Sequence, residues 1–221
     1  MIQSRYRADY PGEFIILETK WSGGKKEQTR EWIANPIENH HISGRAAVIG
    51  SGIDKYRFDY TKLQRHRGGL LSSKKLQTYG VGDIALEMRL DFTVETNASR
   101  LAILLENQYH ENNIVYTTAR NCINNPEKCY LIPLNPNLMD VALPIYLAAF
   151  DGHKEIFLLG YTKDHYIENA EWVTHVNMII ESYPAVKFYF VGEKTNLFPE
   201  WVEHANVTTL TYRDFITYCD V

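Results

Sequence analysis

"GRAAVIGSGIDKY", residues 44–56, decides how the rest of the chain is read. Arg45 is followed by four apolar residues, Ala46 to Ile49, with no polar residue alternating among them. Such a run is a strand buried on both faces, the kind found inside a parallel sheet. It stops at Gly50-Ser51-Gly52, followed by an acid, Asp54, and a base, Lys55. The glycines have two readings. They let exposed backbone N–H groups form a nest for a phosphate, or they make a plain exit turn. The motif is not Gly-x-Gly-x-x-Gly, because position 55 is Lys, and it is not a Walker loop. The residues alone leave both readings open.

Downstream, strands and helices alternate. Met88 to Val94 reads as a strand, and Ser99 to Tyr109 as a helix capped by Asn97 or Ser99. Ile114 to Thr118 and Cys129 to Leu134 are strand runs. Asn137 to Phe150 has apolar residues at three- and four-residue steps and predicts a helix kinked at Pro144. Glu155 to Leu159 is a strand, Glu168 to Tyr183 a long helix, and Val186 to Val191 a strand. Phe198 to Ala205 reads as a short helix, Val207 to Leu210 as a last strand, and Tyr212 to Cys219 as a last helix. This order predicts an α/β, Rossmann-like fold: a mainly parallel sheet with helices on both faces. Upstream, Phe14 to Leu17 and Glu31 to Ile33 flank Ser22-Gly23-Gly24 and predict a β-hairpin. The expected division is an N-terminal hairpin extension, 1–43, and a Rossmann-like nucleotide-binding catalytic domain, 44–221.

The chain has 221 residues and a net charge of −4. The charge is uneven. Residues 44–75 hold eight bases (Arg45, Lys55, Arg57, Lys62, Arg65, Arg67, Lys74 and Lys75) against Asp54 and Asp59. A positive segment on an acidic body points to a localised anionic ligand. Cys122, Cys129 and Cys219 form no CxxC pair, which predicts free thiols in a reducing, cytoplasmic setting. The N-terminus has no apolar signal core and the longest apolar run is too short to span a bilayer.

Parallel sheets bind ligands at the carboxyl ends of their strands, so the turns after the strands are the places to search. Gly50, Ser51 and Gly52 follow the first core strand. Arg65-His66-Arg67-Gly68-Gly69 and Lys74-Lys75 form a basic loop fit to clamp a diphosphate or a nucleic-acid backbone, or simply a solvated surface. Asn135-Pro136-Asn137 opens the predicted helix, where Asn137 is a cap that a bound anion could share. Gly160 to Glu168 gathers Tyr161, Asp164, His165, Tyr166 and Glu168. There, His165, or else Asp164 or Glu168, could take a proton from an acceptor hydroxyl, and Tyr161 and Tyr166 could donate to a leaving phosphate. The bland reading is a polar loop that caps the next helix. No Gly-x-Ser-x-Gly, Ser-x-x-Lys or Cys/His signature marks a covalent nucleophile. No Asp-x-Asp suggests a divalent metal, so none is expected. His40, His41, His110, His153, His175 and His204 lack partners at catalytic spacing and read as structural.

Two stretches carry a family resemblance. "LAAFDGHKEIFLLGYTKDHYIENAEWV", residues 147–173, and "AVIGSGIDKYRFDY", residues 47–60, resemble bacterial sialyltransferases of the Campylobacter lipooligosaccharide type. The resemblance implies a metal-independent enzyme with one Rossmann-like domain and a cytidine-monophosphate sugar as donor. It breaks at three places. The family's Gly-Asn-Gly-Pro-Ser is Gly50-Ser51-Gly52-Ile53-Asp54 here. Its catalytic His falls at Asn169. Its Arg and Ser-Gly before the long helix are replaced by Asn135-Pro136-Asn137. The compact size, acidic body and basic loop are also similar to small transferases with which T4-type phages decorate hydroxymethylcytosine in their DNA. The expected activity is transfer of a sugar from a UDP- or CMP-sugar to a hydroxyl of a saccharide or of duplex DNA. The rival is a non-catalytic nucleotide- or DNA-binding module with the same sheet.

Overall fold

The computed structural model describes residues 2–3, 13–34, 44–67, 76–133, 136–163 and 170–221. In chain order its strands are β1 (Ile2–Gln3), β2 (Glu13–Ser22), β3 (Lys25–Ala34), β4 (Arg45–Ile49), β5 (Gln77–Val81), β6 (Phe92–Val94), β7 (Ile114–Thr117), β8 (Tyr130–Leu131), β9 (Glu155–Leu159), β10 (Lys187–Val191) and β11 (Val207–Leu210). The chain forms two compact units, Met1–His40 with Glu95–Asn137, and His41–Val94 with Leu138–Val221.

In the smaller unit β1, β2 and β3 form an antiparallel sheet. Ser22 pairs with Lys25 across a two-residue loop, Gly23-Gly24, with φ of +58° and +79°. Positive φ at both positions makes the tight hairpin that glycine favours. The same unit holds helix α2 (Ala98–Glu106) and helix α3 (Ala119–Asn124), and β7 pairs parallel with β8. The Asn97 side chain caps α2 by accepting from the amides of Ser99 and Arg100. Leu101 and Leu105 pack with Val115, Cys122, Cys129 and Leu131. Cys122, Cys129 and Cys219 are free and buried. Burial pushes their thiols up, to about 12, 11 and 12, so they act as small apolar groups.

In the larger unit the strands lie side by side in the order β11-β10-β9-β4-β5-β6, every pair parallel. The α/β, Rossmann-like reading therefore holds. The apolar runs β4, β9 and β10 are the inner strands. Ala46 to Ile49, Ile156 to Leu159, Phe188 and Phe190 are inaccessible to solvent, as a strand covered on both faces requires. The outermost strand β11 carries two threonines and is only half-buried. Helix α4 (Leu143–Phe150) lies against β4, β5, β6 and β9 and is apolar all round. Helix α5 (Ala170–Ser182) buries Trp172, Val176, Ile179 and Ile180 at helical spacing. Trp172 meets Trp201 of the short helix α6 (Pro199–Val202) edge to face, and Trp201 stacks on Phe190. Helix α7 (Tyr212–Cys219) is capped by Thr211 and buries Tyr212, Phe215 and Cys219.

Three expectations are corrected. The helix predicted over 137–150 begins at Leu143, and Pro144 sits in its first turn instead of kinking it. Proline lacks an N–H, which the first turn leaves unpaired in any case. Asn137 is exposed, and it does not cap that helix. The strand predicted over 88–94 shrinks to Phe92–Val94, behind helix α1 (Gly82–Glu87). Just before β6, the Asp91 carboxylate accepts from the amide and hydroxyl of Thr78, which fixes the register of that loop against β5.

At the amino ends of the central strands, Glu155 accepts from Arg45 at 2.7 Å, from Tyr218 at 2.7 Å and from Tyr189 at 3.2 Å. Its partial burial favours the neutral form, but the Tyr218 and Arg45 hydrogen bonds and the Arg45 charge outweigh that, so its pKa is lowered. A lowered carboxylate stabilises the fold at neutral pH and loses that contribution as pH falls through the folded value. Glu155→Gln is expected to cost about 1–2 kcal/mol at pH 7. In urea melts the gap to the parent should close in acid; a gap of equal size at both pH values contradicts this.

Candidate functional site

The order β11-β10-β9-β4-β5-β6 places the reversal of strand order between β4 and β9. From β4 the chain builds outward to β6, then returns to β9 on the other flank. In open α/β sheets, ligands bind in the crevice outside the carboxyl ends of the strands at such a reversal. Gly50-Ser51-Gly52 leaves β4 there and Gly160-Tyr161-Thr162 leaves β9 there.

The two exits touch. The Gly50 amide donates to the Leu159 carbonyl at 2.7 Å, and the Gly52 amide to the Gly160 carbonyl at 3.0 Å. A Cβ on Gly52 would lie 2.5 Å from the Gly160 oxygen, and one on Gly50 would lie 2.8 Å from it. Gly52 has an ordinary extended backbone, φ −60° and ψ 141°, so space, not conformation, requires glycine. Gly160 has φ +75°, and a Cβ there would lie 2.8 Å from the Gly50 oxygen. Close approach of two backbones therefore accounts for all three glycines. The amides of Gly50 and Gly52 donate to β9. The bend itself stands at the strand-order reversal.

One carboxylate sits where four strand exits meet. Asp54 lies on a 3-10 turn, Ile53–Arg57, directly after the glycines. Its Oδ2 accepts from the Tyr212 hydroxyl at 3.1 Å, beyond β11, and its Oδ1 from the Thr162 hydroxyl at 3.4 Å, beyond β9. A Cβ on Gly192, beyond β10, would lie 3.1 Å from Oδ2. Asp54 is only 7% exposed. Burial raises its pKa; hydrogen bonds from Tyr212 and Thr162 and the charge of Arg57 act the other way without cancelling the rise. The sign follows: the folded state favours protonated Asp54, and stability declines as pH rises through the raised value. Burial, then the neighbouring Asp54 charge, pushes the Tyr212 hydroxyl up, so it remains a proton donor. Arg57 stands at the rim, half-exposed, 3.4 Å from Glu193. Such exposed pairs are weak and exchange readily.

A second buried carboxylate makes the contrast. Glu95, in the smaller unit, is 1% exposed, with Arg100 at 3.0 Å and the Asn97 amide at 2.7 Å. It has its own cation. Asp54 has neutral hydroxyls.

The remaining candidates divide. Tyr161 is buried. Its hydroxyl donates to the Val141 carbonyl at 2.9 Å, and its ring fills the space beside Gly50. That hydroxyl proton is given to a backbone carbonyl in this structure. Asp164, His165, Tyr166 and Glu168, like Asn135, Lys74 and Lys75, lie outside the described residues. Arg65 and Arg67 lie on a 3-10 turn, Tyr60–Arg67, of which the backbone is described there. Lys55 is a buried internal cation. Its ammonium lies 3.6 Å from Glu87, 4.8 Å over the Tyr56 ring and 5.9 Å from that of Tyr60, and both tyrosine hydroxyls bond Glu87. His175 Nδ1 accepts from the Met139 amide, His204 pairs with Asn177, and His153 with Tyr79. Sequence reasoning missed Asp54, Thr162 and Tyr212 as a group. The available signal was an acid two residues past a glycine exit turn.

Among the described residues no helix is long and apolar enough to cross a membrane. No family model and no curated protein matches the chain. Among solved structures, the chain is similar to the sialyltransferase CstII from Campylobacter jejuni, in complex with a substrate analogue, cytidine-5′-monophosphate. The similarity covers 66% of this chain and 78% of that one, at 13% identity and a TM-score of 0.43.

Proposed function

We propose that this protein is a metal-independent glycosyltransferase that binds a nucleotide sugar at the carboxyl ends of β4 and β9. The observation that carries the reading is the strand-order reversal with a buried carboxylate at its floor and a guanidinium at its rim. The sialyltransferase-like stretches 47–60 and 147–173 flank that point in the sequence and direct the reading to sugar transfer. The donor nucleotide would be a cytidine or uridine phosphate. Arg57 would exchange Glu193 for the donor phosphate, with Arg65, Arg67, Lys74 and Lys75 as further anion-binding groups. In transfer, the acceptor oxygen bonds to the anomeric carbon, the sugar–phosphate C–O bond breaks, and its electron pair leaves on the nucleotide. The acceptor proton passes to His165, or to Asp164 or Glu168. The acceptor hydroxyl belongs to a saccharide or to hydroxymethylcytosine in duplex DNA.

The test is incubation with CMP- and UDP-sugars and three acceptors: oligosaccharide, hydroxymethylated duplex and unmodified duplex. A gain of one glycosyl mass on oligosaccharide or on the hydroxymethylated duplex supports transfer. Nucleotide binding with no gain on any acceptor supports the rival, a non-catalytic module; His165→Ala then changes nothing, whereas in an enzyme it removes turnover and spares donor affinity. Arg57→Ala is expected to weaken nucleotide binding about tenfold, the loss of one charge-assisted contact. Nucleoside binding, measured by calorimetry, should stay as in the parent. An equal loss for both would remove Arg57 from the phosphate.

A further inference from the structure

Asp54 has a chemistry that packing alone does not use. An ionised carboxylate has about four acceptor directions. Here each oxygen takes one side-chain hydroxyl, from Tyr212 or Thr162. Both donors are neutral, so they orient the carboxylate without cancelling its charge. Neither nearby cation pairs directly with it: Lys55 turns to Glu87 and Arg57 to Glu193, although the Arg57 charge still reaches Asp54. Glu95, by contrast, has an arginine 3.0 Å from its carboxylate. Two fixed carboxylate oxygens side by side match two parallel donors on adjacent atoms, the geometry that a guanidinium fork exploits. A vicinal diol has the same geometry, and unlike a guanidinium it enters a buried site without a second charge to desolvate.

We infer that Asp54 binds the 2′- and 3′-hydroxyls of a ribose and so selects ribonucleotides over deoxyribonucleotides at the β4–β9 crevice. The inference rests on the nucleotide reading above and names the part of the ligand that this residue holds. Tyr212 and Thr162 are positioning residues that set the plane of the carboxylate. The desolvation of Asp54 agrees with this, because a dehydrated carboxylate gains most from added donors.

The full chain and its Asp54→Asn and Asp54→Leu variants are titrated calorimetrically with CMP, UMP and their 2′-deoxy forms. The parent is expected to prefer the ribonucleotide by about tenfold or more, the worth of a hydrogen bond to a charged group. Both variants should lose the preference, and they should also bind the deoxynucleotide more weakly than the parent does, because it keeps the 3′-hydroxyl that Asp54 would hold. The ratio in the parent should also fall in acid, where protonated Asp54 loses acceptor capacity, and taking a ratio cancels the phosphate's own titration. The groups facing Asp54 are Tyr212 from α7 and Arg57 from its own turn, with Glu193 beyond β10 paired to Arg57. The acid measurement needs no variant and decides the matter if the variants fail to fold. Parent binding with equal affinity for both sugars, or an unchanged ratio in Asp54→Asn, overturns the role of Asp54 and leaves the nucleotide reading standing. Absence of binding by either nucleotide overturns both.

Discussion

Gly52→Ala is expected to destabilise the protein by about 3 kcal/mol, the upper end of the usual cost of overpacking a filled site. The added carbon would sit 2.5 Å from the Gly160 oxygen and 2.9 Å from its carbonyl carbon. Both are main-chain atoms, so no rotamer change relieves the contact. The backbone at Gly52 already suits alanine, so no conformational strain enters the cost. The exits of β4 and β9 would have to separate, which breaks the Gly52-to-Gly160 hydrogen bond at the centre of the sheet. A melting-point drop of about 10 °C follows for a chain of this size. Gly44→Ala is the control, since nothing lies within 4 Å of its added carbon; it should melt as the parent does. The same pair of variants decides between the two readings of the opening sequence. If Gly52 were glycine only to admit a phosphate, alanine would leave stability intact and remove nucleotide binding.

Tyr79→Phe is expected to cost about 1–3 kcal/mol, because a buried carboxyl acceptor loses its donor. The Tyr79 hydroxyl donates to Asp151 Oδ2 at 2.6 Å and lies 2.8 Å from His153 Nε2. All three residues are excluded from solvent. The phenylalanine ring preserves volume and the stacking on Phe92, whose ring centroid is 4.7 Å away. Any loss therefore reports the hydroxyl and not a cavity. In urea melts the midpoint should fall with the slope unchanged. Equal midpoints would mean that Asp151 and His153 stabilise each other without Tyr79.

The inner strands were legible because their residues have one explanation. Ala46–Ile49, Glu155–Leu159 and Lys187–Val191 are apolar runs too short for buried helices, each flanked by polar or turn residues. Helix α7 was legible because Thr211 caps it and its apolar residues keep strict helical spacing. Strand β5, Gln77–Val81, was not read. Its polar Gln77 and Thr78 are buried by partners distant in sequence, Asp91 among them, which a local pattern cannot reveal. Pro144 misled because proline opens helices as readily as it bends them, and only the backbone tells which. The glycine exit was placed at the end of β4, but the close packing of Gly50 and Gly52 against Gly160, more than a hundred residues away, is invisible to a local reading. Asp54 was counted as a charge opposing its basic neighbours. Its importance comes from Thr162 and Tyr212, which only the sheet brings to it.

Amide chemical-shift mapping with CMP and UDP tests the placement of the nucleotide most directly. The account predicts saturable shifts for at least one of the two, centred on Ser51, Asp54, Thr162, Gly192 and Tyr212. Saturable shifts gathered instead around Glu95, Arg100 and Asn121, or no saturable shift with either nucleotide, would contradict it.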